Sequence, residues 1–182
     1  DSHRAIGYDV VSELNGPLNI PQTVQIGGKT YPVEELAVRM FEGEGESLIK
    51  NVTAITLPEG LKRLEKNSLY SEVVSATEVT IPASVEYVGT YFLRGETLKK
   101  ITFKGSPVLA DNSVGTNYKL IHFMSQTPPS VGKYSFQSAH LMVVAPDIAS
   151  IPVYRTTLSG HWGVEKGYEL SVYGGLKEAD NV

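Results

Sequence analysis

The sequence predicts a repeat solenoid of the α/β class, in which a short parallel β-sheet is backed by helical or 3₁₀ turns. Two observations support this fold class. Short apolar segments with strand-like alternation recur at a nearly constant interval, and a matched apolar pair follows each of them. A third observation is a proline at strand exits, which ends a hydrogen-bonded ladder because proline has no N–H. These prolines are Pro21, Pro58, Pro82 and Pro146.

Five segments share one alternating pattern: AITLP, EVTIP, KITFK, LIHFM and MVVAP, starting at Ala54, Glu78, Lys100, Leu120 and Met142. Their first apolar column is Ile55, Val79, Ile101, Ile121 and Val143, at intervals of 24, 22, 20 and 22 residues. Their second is Leu57, Ile81, Phe103, Phe123 and Ala145. Strands with one buried face have this pattern. We expect them to stack in parallel, because no unit can bury its apolar face alone.

An earlier copy of the strand pattern, PLNIP, supplies Leu18 and Ile20. An apolar pair five residues apart follows this copy and each of the first four segments. The pairs are Leu36 and Phe41, Leu64 and Leu69, Val88 and Leu93, Leu109 and Val114, and Val131 and Phe136. A small residue follows the first member in most pairs, as at Gly89 and Gly132. This spacing predicts a tight helical or 3₁₀ turn that directs both side chains inward.

The two ends of the chain carry different signals. Gly27 and Gly28 between two alternating runs predict a β-hairpin that caps the amino-terminal sheet edge. Ser150 to Tyr154, with a proline in the first turn, predicts a helix that stops at Gly160, with Trp162 packed over the last strand. The later stretch ELSVY predicts one more strand. We therefore expect one domain over 1–182, with a capping unit over 1–50, repeats over 51–146, and a cap with a tail over 147–182.

Composition excludes several function classes. The chain of 182 residues has no cysteine, which removes disulfides, thiolate metal sites and cysteine nucleophiles. The net charge of −4 argues against a nucleic-acid surface, which needs a basic stripe. We expect no membrane-spanning segment, because no apolar run is long enough to cross a bilayer.

Catalytic patterns are also weak. The sequence has no HExxH, GxSxG, Walker or EF-hand motif. Asp111, Ser113 and His122 could be assembled into a triad, but residues one repeat apart are neighbours in any solenoid. We therefore expect a protein without enzymatic activity, metal or cofactor.

The outward face of the predicted sheet is the main candidate for binding. It carries two ladders: Ala54, Glu78, Lys100, Leu120 and Met142, and Thr56, Thr80, Thr102, His122 and Val144. Both become more apolar toward the carboxyl end. An exposed apolar patch there would favour a partner site over Lys100, Thr102, Leu120, His122, Met142 and Val144. The alternative is that the carboxyl-terminal cap covers this patch.

Tyrosines in the predicted turns offer a second surface. Tyr87, Tyr91 and Tyr134 fall in loops or turns of successive units, and tyrosine is enriched in binding interfaces. Packing explains Tyr91 and Tyr134 equally well. We retain all three as candidate binding residues.

The interval of the repeats lies at or within the 20–29 residues of leucine-rich repeats. The stretch VTIPASVEYVGTYFLRGETLKKITF resembles the repeat of BspA-type leucine-rich-repeat proteins from the surfaces of Bacteroides-like bacteria. The opening LNIPQTVQIGGKTYPVEELAVRMF and the closing VVAPDIASIPVY with GHWG are similar to that family's first and last units. The departures are Glu65 at a small-residue position, Tyr91-Phe92-Leu93 in place of the usual Tyr-Ala-Phe, and a divergent fourth unit at 107–114.

The resemblance implies a leucine-rich-repeat solenoid on the cell surface or secreted, often with a lipid anchor upstream. It also implies binding to host or envelope proteins or to glycans, and it brings no catalytic residues. The expected function is therefore a non-enzymatic binding module that uses the outward sheet face. The alternative is a passive scaffold or spacer in the cell envelope, and the oligomeric state stays open.

Overall fold

The computed structural model describes residues 14–41, 49–70, 75–94, 97–114, 119–136, 140–159 and 169–174. Within these ranges the chain forms sixteen strands and one short helix, and all but one of the strand pairings are parallel. The predicted solenoid is therefore confirmed as a parallel β solenoid. The helical or 3₁₀ turns expected opposite the parallel sheet are not confirmed in the described residues, where short strands lie instead.

The first sheet contains the recurring strands that the alternation predicted. Its strands, in spatial order, are β8 (Glu78–Ile81), β11 (Lys100–Phe103), β13 (Leu120–Phe123), β15 (His140–Ala145) and β16 (Glu169–Gly174). The register places Ile101 between Val79 and Ile121, which confirms the predicted alignment. The ELSVY stretch is part of β16, so that predicted strand is also confirmed.

A separate parallel pair lies beside the first sheet. It consists of β1 (Leu14–Asn19) and β5 (Ile49–Thr56). Although β5 carries the same alternating pattern as β8, no ladder of backbone hydrogen bonds joins these two described strands. The interruption between β5 and β8 is called the slit below.

The second sheet contains the first member of each apolar pair. Its strands, in spatial order, are β4 (Glu35–Leu36), β6 (Arg63–Leu64), β9 (Tyr87–Val88), β12 (Val108–Leu109) and β14 (Ser130–Val131). The backbone N–H of Gly89 donates to the Leu64 carbonyl at 2.7 Å, and similar bonds recur from coil to coil. A tight turn with a local hydrogen bond lies between the members of two pairs, from the Ser68 N–H to the Glu65 carbonyl at 3.1 Å and from the Ser113 N–H to the Ala110 carbonyl at 3.2 Å. The positive φ of Asn67 and Asn112 shows that these turns are not 3₁₀ helices.

A third side contains the second member of most pairs. There β7 (Leu69–Tyr70) pairs with β10 (Leu93–Arg94), and single bridges join Leu93 to Val114 and Val114 to Phe136. Between the second sheet and this side, the chain turns through residues with positive φ of 49–55°. These corner residues are Arg39, Asn67, Tyr91, Asn112 and Tyr134. The five-residue spacing is therefore a short strand, a left-handed corner and a second short strand.

Small residues beside this corner permit close stacking of the coils. A Cβ atom added to Gly89 would lie 2.6 Å from the Lys66 nitrogen, and one on Gly132 would lie 2.6 Å from the Asp111 nitrogen. Real Cβ atoms almost never approach so closely. Glycine at these two positions is therefore a packing requirement.

The predicted end structures are present. An antiparallel hairpin joins β2 (Thr23–Ile26) to β3 (Lys29–Pro32) through Gly27 and Gly28, both with positive φ, as two-residue hairpins require. The helix α1 (Ile151–Leu158) has proline in its first turn. Its predicted stop at Gly160 and the predicted packing of Trp162 lie outside the described residues.

The core changes character along the solenoid. Around β5 and β8 it consists of aliphatic side chains such as Leu57 and Ile81. Farther along, the Phe103 and Phe123 rings stack with centroids 5.3 Å apart, and Tyr154 of α1 lies 5.2 Å from Phe123. Burial holds the pKa of Tyr154 well above its ordinary value, and its hydroxyl donates to the Ser125 carbonyl at 2.8 Å. Helix α1 thus covers the end of the aromatic core.

Candidate functional site

The structure brings together six of the nine residues predicted as a binding site. The register aligns Lys100 with Leu120 and Leu120 with Met142, and it aligns Thr102 with His122 and His122 with Val144. Inward residues such as Ile121 and Val143 alternate with them and are fully buried. The two predicted ladders therefore exist on β11, β13 and β15.

Only part of this face is open. Met142 is 42% exposed, and Leu120 and His122 are partly buried. Thr102, however, is 9% exposed and Val144 is fully buried. The placement of Val144 on an accessible surface was wrong, because β15 is buried on both sides at this position while β16 extends the sheet beyond it. Thr102 is likewise nearly closed to solvent.

Met124 extends the open part of the face. Alternation along β13 puts this residue on the same side as Leu120 and His122, directly after the strand, and it is 51% exposed. Met124 was not predicted as a binding residue, although it is the last residue of LIHFM and continues the outward column of Leu120 and His122. The outward apolar patch is therefore defined as Leu120, His122, Met124 and Met142.

The charges around the patch favour a neutral histidine. Burial and the positive charge of Lys100 hold the pKa of His122 below its usual value of 6.5. The Lys100 ammonium lies 3.3 Å from a Glu78 carboxylate oxygen, so it forms an ion pair along the ladder. At neutral pH the patch thus presents an uncharged imidazole beside two methionines, with one compensated charge pair at its border.

The three candidate tyrosines do not join this patch. Tyr87 lies on β9 in the second sheet, whereas Tyr91 and Tyr134 occupy the left-handed corner and are exposed. The corner is hydrogen-bonded from Tyr91 to Asn112 and from Asn112 to Lys133, so one coil separates Tyr91 from Tyr134. The structure therefore divides the predicted site between two surfaces.

Around Tyr87, a polar cluster appears that sequence reasoning missed. The Arg63 guanidinium carbon lies 4.2 Å from the Tyr87 ring centroid, and Arg63 Nε donates to Glu65 Oε1 at 2.7 Å. Glu35 adds a buried carboxylate whose oxygen is 3.9 Å from the same nitrogen. A signal existed in the sequence, because Glu35, Arg63 and Tyr87 each precede the first member of an apolar pair. The ion pairs of Arg63 and its contact with the Tyr87 ring join neighbouring coils, which marks this cluster as a structural brace across β4, β6 and β9.

The residues considered for a triad are dispersed. Asp111 and Ser113 follow β12 of the second sheet, and His122 lies on β13 of the first. The Asp111 carboxylate accepts the Lys133 backbone N–H at 2.6 Å, and the Ser113 hydroxyl is buried. Across the described ranges, no three His, Asp or Glu side chains gather as metal ligands. In the same ranges, no helix has the length and apolar character that crossing a membrane requires.

Comparisons with models of known protein families, with curated proteins and with solved structures find no match to this chain.

Proposed function

We propose that this protein is a non-enzymatic binding module, secreted or displayed on a cell surface, that recognises a protein or a glycan through the outward apolar patch. The observation that carries the proposal is the pair of exposed methionines, Met124 and Met142, on the outward face of the first sheet. Exposed apolar groups arranged as a patch mark interaction sites more often than scattered ones. Methionine adapts its shape to a partner because its side chain is unbranched and polarizable.

The surroundings of the patch support partner binding. His122 is neutral at physiological pH because its pKa is lowered, so covering it costs less than covering a charged group. Lys100 and Glu78 at the border supply polar contacts of both signs. An apolar centre with a polar rim is the usual anatomy of a protein interface.

A passive scaffold remains the second proposal, and one observation favours it. Val144 is fully buried and Thr102 nearly so, which leaves the open part of the face small. The cell-surface location rests on the sequence resemblance alone.

The test is a binding screen of the purified domain against immobilised matrix proteins and a glycan array, followed by titration of any hit. We expect Met142→Asp to weaken saturable binding about tenfold or more, which is the loss that follows removal of an interface anchor. Val108→Asp is the matched control, because Val108 is 49% exposed but lies in the second sheet.

Equal loss of binding in both variants would refute the patch as the site. Absence of binding by a folded wild-type domain would favour the scaffold for the ligands screened.

A further inference from the structure

Two exposed tyrosines stand at equivalent positions of the left-handed corner. Tyr91 is 37% exposed and Tyr134 is 49% exposed, and both have a positive φ. The coil between them has an asparagine at the same position. The corner residues that share this conformation are called the corner column below, and they are Arg39, Asn67, Tyr91, Asn112 and Tyr134.

The backbone of the corner does not itself require tyrosine. After glycine, asparagine is among the residues that best tolerate a positive φ, because its short polar side chain bonds locally. Asparagine occupies the corner in two coils, at Asn67 and Asn112. Tyr91 and Tyr134, at φ of 49° and 53°, hold a conformation that is less favourable for their residue type. Strain of this kind is concentrated at ligand-binding and active sites.

Packing inside the protein explains two other tyrosines but not these two. Tyr154 is fully buried and its hydroxyl donates a hydrogen bond, whereas the Tyr87 ring lies against the Arg63 guanidinium. Within the described part of the chain, no hydrogen bond or ring contact engages the side chain of Tyr91 or Tyr134. Their exposed rings are therefore available to a partner outside the protein.

The stacking of the coils sets the distance between the two tyrosines. The Tyr91 N–H donates to the Asn112 carbonyl at 2.9 Å, and the Asn112 N–H donates to the Lys133 carbonyl at 3.0 Å. The backbones of Tyr91 and Tyr134 are therefore about 9.6 Å apart, which is twice the spacing of neighbouring strands. This distance is close to the length of two sugar residues in an extended β-1,4-linked chain. Two rings so placed can stack on every second sugar.

The polar groups beside the rings are held in place by the neighbouring coils. Asp111 Oδ1 accepts the Lys133 backbone N–H at 2.6 Å, and Thr90 Oγ1 donates to the Asp111 carbonyl at 2.8 Å. Both Asp111 and Lys133 are exposed. The carboxylate only accepts hydrogen bonds and the ammonium only donates them. A sugar hydroxyl does both, so it can bond to either group.

The same chemistry separates a glycan from the other ligand that suits spaced aromatic rings. A proline-rich segment in the polyproline II conformation also docks on aromatic side chains. Its prolines have no N–H, so they could not donate to the Asp111 carboxylate. Since Asp111 and Lys133 carry opposite charges, the site has no preference for a charged glycan. These contacts favour a neutral one.

We propose that the corner column binds a neutral, extended β-1,4-linked glycan. Tyr91 and Tyr134 stack against alternate sugar rings, while Asp111 and Lys133 bond to the hydroxyls between them. The site lies between the second sheet and the third side, so it is separate from the outward apolar patch on β13 and β15. It does not depend on the function proposed for that patch.

The test is NMR titration of the full chain with cellohexaose. We expect saturable shifts confined to residues 90–91, 111–112 and 133–134. Tyr91→Asn and Tyr134→Asn should each weaken binding about tenfold or more, the loss that follows removal of an interface anchor. Because asparagine already occupies the corner in two coils, these variants keep the fold, and denaturant unfolding checks this. Tyr134→Phe is the matched control, which retains the ring and should retain most of the affinity.

A second ligand tests the spacing argument. Maltohexaose contains the same sugar, but its α-1,4 links coil the chain, so it should bind more weakly than cellohexaose. Equal affinity for the two hexaoses, no saturable shift with cellohexaose, or unchanged binding by the asparagine variants would overturn the proposal. Binding of a proline decamer in place of cellohexaose would also overturn it. Met142→Asp should leave cellohexaose binding unchanged, so this site and the outward apolar patch fail or succeed independently.

Discussion

The two halves of the first sheet are built from the same repeat but close differently. From β8 to β15, each strand is paired in register. The core there is rich in aromatic rings, because Phe103 packs on Phe123 and Phe123 packs on Tyr154. Between β5 and β8 the strands are unpaired, and the corresponding core residues are Leu57 and Ile81. Matching alternation of side chains is therefore not sufficient for two strands to pair. The backbones of the neighbouring coils must also lie close enough to form hydrogen bonds.

The largest expected effect is the loss of stability when a ring is removed from the well-packed half, β8 to β15. Phe123→Ala should lower the free energy of unfolding by about 3–5 kcal/mol, because it removes a buried ring that contacts both Phe103 and Tyr154. Leu57→Ala should cost less, about 2 kcal/mol, because Leu57 borders the slit, where solvent already comes close. Denaturant unfolding followed by circular dichroism measures both values. Equal costs would contradict a packing difference between the halves.

An intermediate loss of stability tests whether the packing difference between the two halves is confined to the first sheet. Gly89→Ala and Gly132→Ala each place a Cβ atom 2.6 Å from backbone of the preceding coil, one in each half of the molecule. Both should destabilise by about 1–3 kcal/mol, the usual cost of overpacking. The control is Lys133→Ala at an exposed corner position, with an expected change within about 0.5 kcal/mol. A tolerated Gly89→Ala beside a costly Gly132→Ala would show that the second sheet is also looser near the slit.

The smallest expected effect is the contribution of His122, on β13, to the pH dependence of the free energy of unfolding. Its pKa is lowered in the folded state, so the unfolded chain binds the proton more readily. The stability from this residue is fully present above pH 6.5 and is lost as the pH falls from 6.5 to the folded pKa. His122→Ala should remove this part of the pH dependence of unfolding. NMR titration of the imidazole gives the folded pKa directly, and a value at or above 6.5 would contradict the partial burial of His122.

Sequence reasoning predicted the register of the first sheet because side-chain alternation and repeat length act together. Ile101 and Ile121 occupy equivalent positions in neighbouring strands, as their columns indicated. The same reasoning failed at the five-residue pairs, because that spacing suits both a 3₁₀ turn and two short strands around a left-handed corner. Positive φ at Tyr91 and Tyr134 could not be read from side chains that rarely adopt it.

The slit and the burial of Val144 were not predicted, for different reasons. The interval from Ile55 to Val79 is the longest of the four, 24 residues, which is a weak signal that these coils are not equivalent. Val144 pairs with Tyr173 of β16, a strand that lies outside its own repeat and later in the chain. Local patterns do not contain such information.

The equal register of β11 and β13 has a consequence for how this chain could change over generations. Lys100 and its register partner Leu120 lie twenty residues apart, which is one repeat of the sequence. Recombination that deletes or duplicates those twenty residues would leave each remaining strand facing an equivalent partner. It would change the height of the stack by about 4.8 Å while both ends stay the same. The distance between the two ends of the solenoid can thus change by whole repeats, while the contacts between neighbouring coils stay the same.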